Sequence, residues 1–150
     1  MSLLDSASHR RLNQLTGEWV LVSPHRTSRP WQGQIEKVRD AGRPRYDPSC
    51  YLCPGNERAN GARNPAYSGV FAFDNDFAAL TPQASALDFV QDGLFVAEEE
   101  PGRCRVLCYS PRHDLTLPRM SVEEIVPVVD AWREETTRFG TDDMINYVQI

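Results

Sequence analysis

Lysine is almost missing from this sequence: of sixteen Lys and Arg side chains, only Lys37 is lysine. With no lysine cluster and a net charge of −5, a general nucleic-acid binder is disfavoured. No run of about 18 apolar residues occurs, which argues against a membrane-spanning helix. The opening "MSLLDSASHRRLNQ" lacks the apolar stretch of a secretory leader, so the chain is expected to be cytoplasmic. Cysteine is also sparse, at four residues: Cys50, Cys53, Cys104 and Cys108. Reducing surroundings argue against two disulfides and favour thiols or metal ligands. Histidine occurs three times, at His9, His25 and His113, and no second C-x-x-C accompanies Cys50 and Cys53. There is no internal repeat and no low-complexity tract.

What is present is arginine, unevenly placed. Residues 1–67 hold ten Lys/Arg against six Asp/Glu, net +4, whereas residues 68–150 hold six against fifteen, net −9. Arginine's planar fork suits phosphate, so the basic half could hold an anionic ligand. The codon usage of a GC-rich genome would give the same excess.

The length of 150 residues suits one domain with a real core. "EWVLVS" (18–23) follows the Thr16-Gly17 turn signal and reads as a strand. Residues 26–67 carry five Pro and four Gly without periodicity, a loop long enough to need a functional or organising reason. A bound metal would supply one. "GVFAFDNDFAAL" (69–80) reads as a strand ending near Asp74 to Asp76, and residues 93–110 as two strands around a Pro-Gly turn. Cys104, Val106 and Cys108 alternate onto one strand face, which predicts two core thiols. A helix is predicted from Val122 to Phe139, opened by the Ser121/Glu124 capping box and closed by Gly140 at C′. Its apolar stripe is Val122, Ile125, Val126, Val129, Trp132 and Phe139, with a kink expected at Pro127. "INYVQI" (145–150) is expected to open a strand that this sequence does not finish. The N-terminal segment around His9 is expected to be mobile.

Cys50 and Cys53 sit in "PSCYLCPGN" (48–56). Zinc takes four tetrahedral ligands and accepts thiolate and imidazole, so this pair can supply two. A thioredoxin-like redox pair fits less well, because the Pro/Gly loop does not open a helix after a strand. A lone histidine is more often a surface or satisfied core residue than a ligand, and spacing alone does not select among the three.

Four segments, "LTGEWVLVSPHRTSRPWQGQ" (15–34), "DPSCYLCPGNERANGARNPAY" (47–67), "FDNDFAAL" (73–80) and "CYSPRHDLTLPRMS" (108–121), occur in this order. Together they resemble the N-terminal half of the galactose-1-phosphate uridylyltransferases, within the histidine-triad (HIT-like) superfamily. The resemblance spans nearly the whole chain. It implies an α+β fold, an antiparallel-rich HIT-like sheet with a packed helix, present here as an incomplete half-fold. Residues 1–150 would be the N-terminal HIT-like domain of a uridylyltransferase. The implied reaction moves UMP from UDP-glucose to galactose 1-phosphate in galactose metabolism, through a uridylyl-histidine. Cys50, Cys53 and His113 match three ligands of a structural zinc. Arg26, Thr27, Ser28 and Arg29 match the segment that approaches the ligand's phosphates, across a dimer interface. Asn75 and Asp76 match residues contacting the UDP portion, and Ala59 matches a ligand-contacting position that would act through backbone or shape. The implied partners are UDP-sugars, hexose 1-phosphates and a second copy of the complete protein, with neither nucleic acid nor membrane.

The sequence departs from the pattern in one respect. The family's nucleophile lies in a His-Pro-His motif, whose first histidine would be the fourth zinc ligand, and no such motif occurs in these 150 residues. The sequence is therefore expected to stop short of the motif, with no catalytic residue of its own and no activity alone. An iron site of some family members would also draw on residues beyond it. Two other readings compete. One is a related HIT-like nucleotidyltransferase or phosphorylase acting on another nucleotide sugar, against which "RPWQGQ" argues. The other is a non-catalytic zinc-knuckle binding module, which leaves the acidic second half unexplained.

Overall fold

A computed structural model describes residues 2–30, 42–83 and 87–150. Trp31 to Gln34 of the "RPWQGQ" segment lie outside the described residues. The chain divides into two compact units: Met1–Arg29 with Phe77–Arg105, and Pro30–Asp76 with Val106–Ile150.

The first unit begins with a single helical turn, α1 (Leu3–Ser6), capped by Ser2, whose side chain accepts from Leu4 N. Strands β1 (His9–Asn13) and β2 (Glu18–Val22) form an antiparallel hairpin in the register His9↔Val22 to Asn13↔Glu18. Gly17, at φ 71°, turns the corner and donates its N–H to Asn13 O at 2.8 Å, as the Thr-Gly signal predicts. Strands β4 (Asp88–Gln91) and β5 (Phe95–Glu99) make a second antiparallel hairpin. Three residues, Asp92 to Leu94, make its turn, with Asp92 and Gly93 at φ 54° and 64°, a region that Asp and Gly tolerate. The hairpins join through β1 and β5, giving the sheet order β2-β1-β5-β4.

The N-terminal segment is therefore not the mobile tail expected from the sequence. "HRRLN" has no apolar alternation, yet β1 is paired on both edges, and His9 at its start is 0% exposed. Neighbouring strands supply what the sequence lacks. Arg10 reaches Glu98 at 2.8 Å and Glu100 at 3.3 Å, and its guanidinium lies 4.6 Å over the Trp19 ring. Cross-strand pairs of this kind stabilise sheets. At Gly102 the backbone passes close to Leu80: a Cβ there would meet Leu80 Cδ1 at 2.8 Å, so a larger residue would make that side chain shift.

The second unit contains β3 (Phe71–Asp74), paired with β6 (Arg105–Cys108), and the helix α2 (Val122–Gly140). The two strands predicted within residues 93–110 are thus β5 and β6, and they belong to different sheets. Cys53, Phe73, Cys108, Leu115 and Val128 form the buried apolar set of this unit. Cys108 is the core thiol expected; Cys104 is only half-buried.

Helix α2 opens with the predicted capping box: Ser121 Oγ accepts from Glu124 N and the Glu124 carboxylate accepts from Ser121 N. It continues through Pro127. The predicted stripe is only half correct. Val128 is wholly buried and Ile125, Trp132 and Phe139 are half-buried, whereas Val122, Val126 and Val129 are exposed. Two adjacent apolar stripes wind along this helix, and burial falls on only one of them. Gly140 is helical rather than a left-handed C′ residue. Thr141, at φ −96° and ψ −1°, caps the end, and its hydroxyl donates to Arg138 O at 2.8 Å. That bond satisfies a terminal carbonyl without a left-handed residue. Residues 145–150 form no strand, and Tyr147 and Ile150 are exposed. Strand-forming side chains become a strand only against a partner backbone, and these six residues have none among the described residues. The α+β class and the antiparallel-rich sheet are as expected. No helix among the described residues is long and apolar enough to cross a membrane.

Candidate functional site

The second unit gathers Cys50, Cys53 and His113. One ligand atom from each lies within 4.8 Å of the others. The local turn explains how two cysteines three positions apart come to face one point. Asp47 opens it: its Oδ1 accepts from Ser49 N at 2.8 Å and from Ser49 Oγ at 2.7 Å, the side-chain-to-backbone turn that Asp favours. Cys50 N then donates to Asp47 O at 3.1 Å and Cys53 N to Cys50 O at 3.3 Å. Leu52 N donates to Cys50 Sγ at 3.4 Å, so the sulfur is oriented by the backbone it belongs to.

Two asparagines lock the turn from within. Asn56 Nδ2 donates to the carbonyls of Asp47 and Cys50 at 2.9 and 2.8 Å. Asn64, buried, donates to those of Tyr51 and Cys53 at 2.8 and 3.1 Å. Tyr67 donates its hydroxyl to Leu52 O at 2.5 Å. Buried carbonyls must be paired, and in a loop without regular structure these side chains do it. The sequence reading named none of them. The Asp-Pro-Ser run ahead of Cys50 was the available signal for Asp47; for the asparagines and Tyr67 there was none.

His113 arrives from the segment after β6. Its N–H donates to Arg45 O at 2.9 Å, and its Nδ1 lies 3.7 Å from Cys53 Sγ. Burial, with Cys50 close by, pushes the Cys53 thiol up. A thiol held neutral beside a second thiol and an imidazole is a place where a cation would release protons and be held. Two sulfurs and one imidazole nitrogen are a donor set for a soft or borderline metal ion. Next to the trio is a cleft of about 210 Å³, lined by Leu52, Cys108, Ser110, Leu115 and the three donors among others. Cys104 and Cys108 do not belong to the donor group; burial pushes the Cys108 thiol up as well.

A second cluster in the same unit contains Ala59 and Asp76. Asp76 Oδ2 lies 3.1 Å from Arg58 Nε, and its Oδ1 accepts from Asn60 Nδ2 at 2.7 Å. The Arg58 guanidinium also lies 4.1 Å over the Phe73 ring. Ala59 is therefore carried between the two residues that hold Asp76, and Asn75 adjoins it just past the end of β3. Arg58 and Asn60 were missed in the sequence, where a lone Arg and Asn in a loop carry no signal.

The remaining predicted residues lie in the first unit. Arg26, Thr27 and Ser28 sit on a 3-10 turn (Pro24–Ser28) that Arg29 follows, and all four are exposed. Thr27 Oγ1 donates to Pro24 O at 2.8 Å. The turn is fixed by His25, whose Nε2 lies 2.5 Å from Ala78 O. That ring nitrogen is spent on a carbonyl, which leaves His25 a structural residue. His9 is equally occupied: its Nδ1 lies 2.8 Å from Ala7 O and Arg11 Nε donates to its Nε2 at 2.9 Å.

Comparisons with known proteins show the fold and the family. Solved uridylyltransferase structures share the fold, with TM-scores of 0.64 and 0.61 at 24% and 19% identity; each match covers 90% of this chain. They account for 37% and 35% of those larger chains. The chain belongs to the galactose-1-phosphate uridyl transferase family, whose N-terminal domain model matches residues 1–150. It is 48% identical over 142 residues to the galactose-1-phosphate uridylyltransferase of Haemophilus influenzae, covering 95% of this chain and 40% of that protein. To the rat enzyme of the same name it is 52% identical, covering 88% of this chain and 35% of that protein. The chain thus spans about two fifths of the length of the curated relatives it matches.

Proposed function

We propose that this chain is the N-terminal HIT-like domain of a uridylyltransferase that moves UMP from UDP-glucose to galactose 1-phosphate, releasing glucose 1-phosphate and UDP-galactose. The observation that carries this reading is the convergence of Cys50, Cys53 and His113 within 4.8 Å in a chain whose whole length matches the family's N-terminal domain. The metal is zinc, in a structural role: it would tie the 47–53 turn to the segment carrying His113. A fourth ligand would enter through the adjoining cleft. Iron, where family members carry it, would draw on residues outside this sequence.

In the complete protein a histidine of the His-Pro-His motif would attack the α-phosphorus, and the bond to glucose 1-phosphate would break. The sugar phosphate acceptor would then displace the histidine. Two easier displacements replace one. This chain's share is binding and charge. Arg26 and Arg29 offer forked donors for the phosphates, with Thr27 and Ser28 between them and Trp31 to Gln34 following. Ala59, Asn75 and Asp76 form the surface for the UDP portion. The complete protein works as a homodimer in the cytoplasm, without nucleic acid or membrane partners.

The test is a comparison of UDP-glucose with ADP-glucose as donor to galactose 1-phosphate, in the complete protein. Turnover of UDP-glucose is expected; preference for ADP-glucose would instead favour a related nucleotidyltransferase.

A further inference from the structure

We infer that Asp47 is a positioning residue for His113: its carboxylate faces the ring's Nε2 and so turns Nδ1 toward the metal. This rests on the zinc reading above and concerns which nitrogen binds and what holds it.

The two ring nitrogens face different groups. Nδ1 lies 3.7 Å from Cys53 Sγ, while Nε2 lies 3.9 Å from Asp47 Oδ2. The close donor group consists of Cys50, Cys53 and His113, without Asp47, so the carboxylate stands behind the imidazole rather than among the ligands. Asp47 itself is fixed. Ser49 fills Oδ1 twice, through its N–H and its hydroxyl, which leaves Oδ2 for the histidine. An aspartate carboxyl is ionised at neutral pH, and so an acceptor.

The same short segment holds His113 at two points. Arg45 O accepts the His113 backbone N–H at 2.9 Å, and Asp47, two residues on, faces the ring. Asp47 O meanwhile accepts from Cys50 N and Asn56 Nδ2. One residue therefore anchors the cysteine turn through its backbone and orients the imidazole through its side chain. At 3.9 Å the Nε2–Oδ2 pair stands about 1 Å outside hydrogen-bond length. Ligation through Nδ1 leaves Nε2 as the ring's protonated nitrogen, a fixed donor toward Oδ2. Carboxylates in this position set the tautomer and ring plane of a ligating histidine and raise its basicity.

The experiment uses the complete protein. Zinc affinity is measured by chelator competition at neutral pH for the unmodified protein, Asp47→Asn and Asp47→Glu. Asp47→Asn keeps an Oδ1 acceptor for Ser49 while removing the charge. Roughly 10- to 100-fold weaker zinc binding is expected, with partial recovery in Asp47→Glu. Long-range nitrogen–proton NMR of the zinc-loaded unmodified protein should show His113 as the Nε2–H tautomer, and that proton should exchange with water faster in Asp47→Asn, which a merely structural Asp47 would not change. Unchanged affinity in Asp47→Asn, or an Nδ1–H tautomer with Nε2 on the metal, would overturn the inference and leave the zinc site standing. A cobalt-substituted spectrum showing carboxylate among the ligands, lost in Asp47→Asn, would also overturn it. Failure of the unmodified protein to bind zinc would remove both. If Asp47→Asn does not fold, the water-exchange rate of the His113 Nε2–H in the zinc-loaded unmodified protein decides: slow exchange supports the carboxylate partner, and exchange as fast as in a free zinc-bound imidazole overturns it.

Discussion

Cys53 Sγ lies 3.7 Å from His113 Nδ1, although 60 positions separate the two residues in the chain. A contact this distant in sequence closes a long loop, and a metal holding both ends would add stability by restricting the unfolded chain. His113→Ala should therefore weaken zinc binding and also lower the zinc-dependent rise in thermal midpoint. Chelator competition and calorimetry with and without zinc would check this. Equal affinity in the variant would remove His113 from the ligand set.

The pH dependence of the metal-free chain has a definite sign. Burial raises the Cys53 and Cys108 thiols above the ordinary value of 9.0 in the folded state. Their contribution to stability is therefore fully present below about pH 9 and is lost as pH rises through the raised folded values. Denaturant midpoints should fall above that pH without metal. Zinc, which requires thiolate, should bind more weakly as pH falls and be released in acid. Metal-free midpoints that rise above pH 9 would contradict the burial of these thiols.

Arg58 and Asp76, with side chains 14% and 10% exposed, form a largely buried pair. Arg58→Met should cost about 3 kcal/mol, because it leaves a shielded carboxylate without its cation. Arg58→Lys should recover only part of this, since lysine lacks the flat group that lies over Phe73. Urea unfolding would measure both. A cost below about 0.5 kcal/mol for Arg58→Met would show that the pair is open to water.

Arg29→Ala in the complete enzyme should lower turnover by roughly 10²-fold, the scale of losing one donor to a charged transition state. A near-normal rate would make Arg29 a bystander. The chain of 150 residues, incubated with UDP-glucose, should acquire no covalent UMP, since it holds no His-Pro-His. Intact mass would show this, and a stoichiometric adduct on His25 or His113 would contradict it.

His9→Ala removes a wholly buried ring and should cost about 2–4 kcal/mol, as for other large-to-small changes in packed cores. Amide exchange in β1 should accelerate accordingly. Unchanged protection would return this segment to the mobile tail that its composition suggests.

The sequence by itself determined what depends on neighbours along the chain. The Ser121/Glu124 cap, the Thr16-Gly17 turn, the β2 and β3 runs and the Cys50–Cys53 turn are all local arrangements. Each is set by backbone preference and side-chain bonds over a few residues. Resemblance added His113, which no spacing rule selects. Tertiary structure alone decided the rest. It made "HRRLN" an internal strand because pairing on both edges outweighs poor strand composition. It gave "INYVQI" no strand partner among the described residues, and strand propensity does nothing without one. It buried only one of the two apolar stripes on α2. It also placed Asn56, Asn64 and Arg58, which satisfy carbonyls and a carboxylate brought near only by folding, so nothing in the order of the residues could name them.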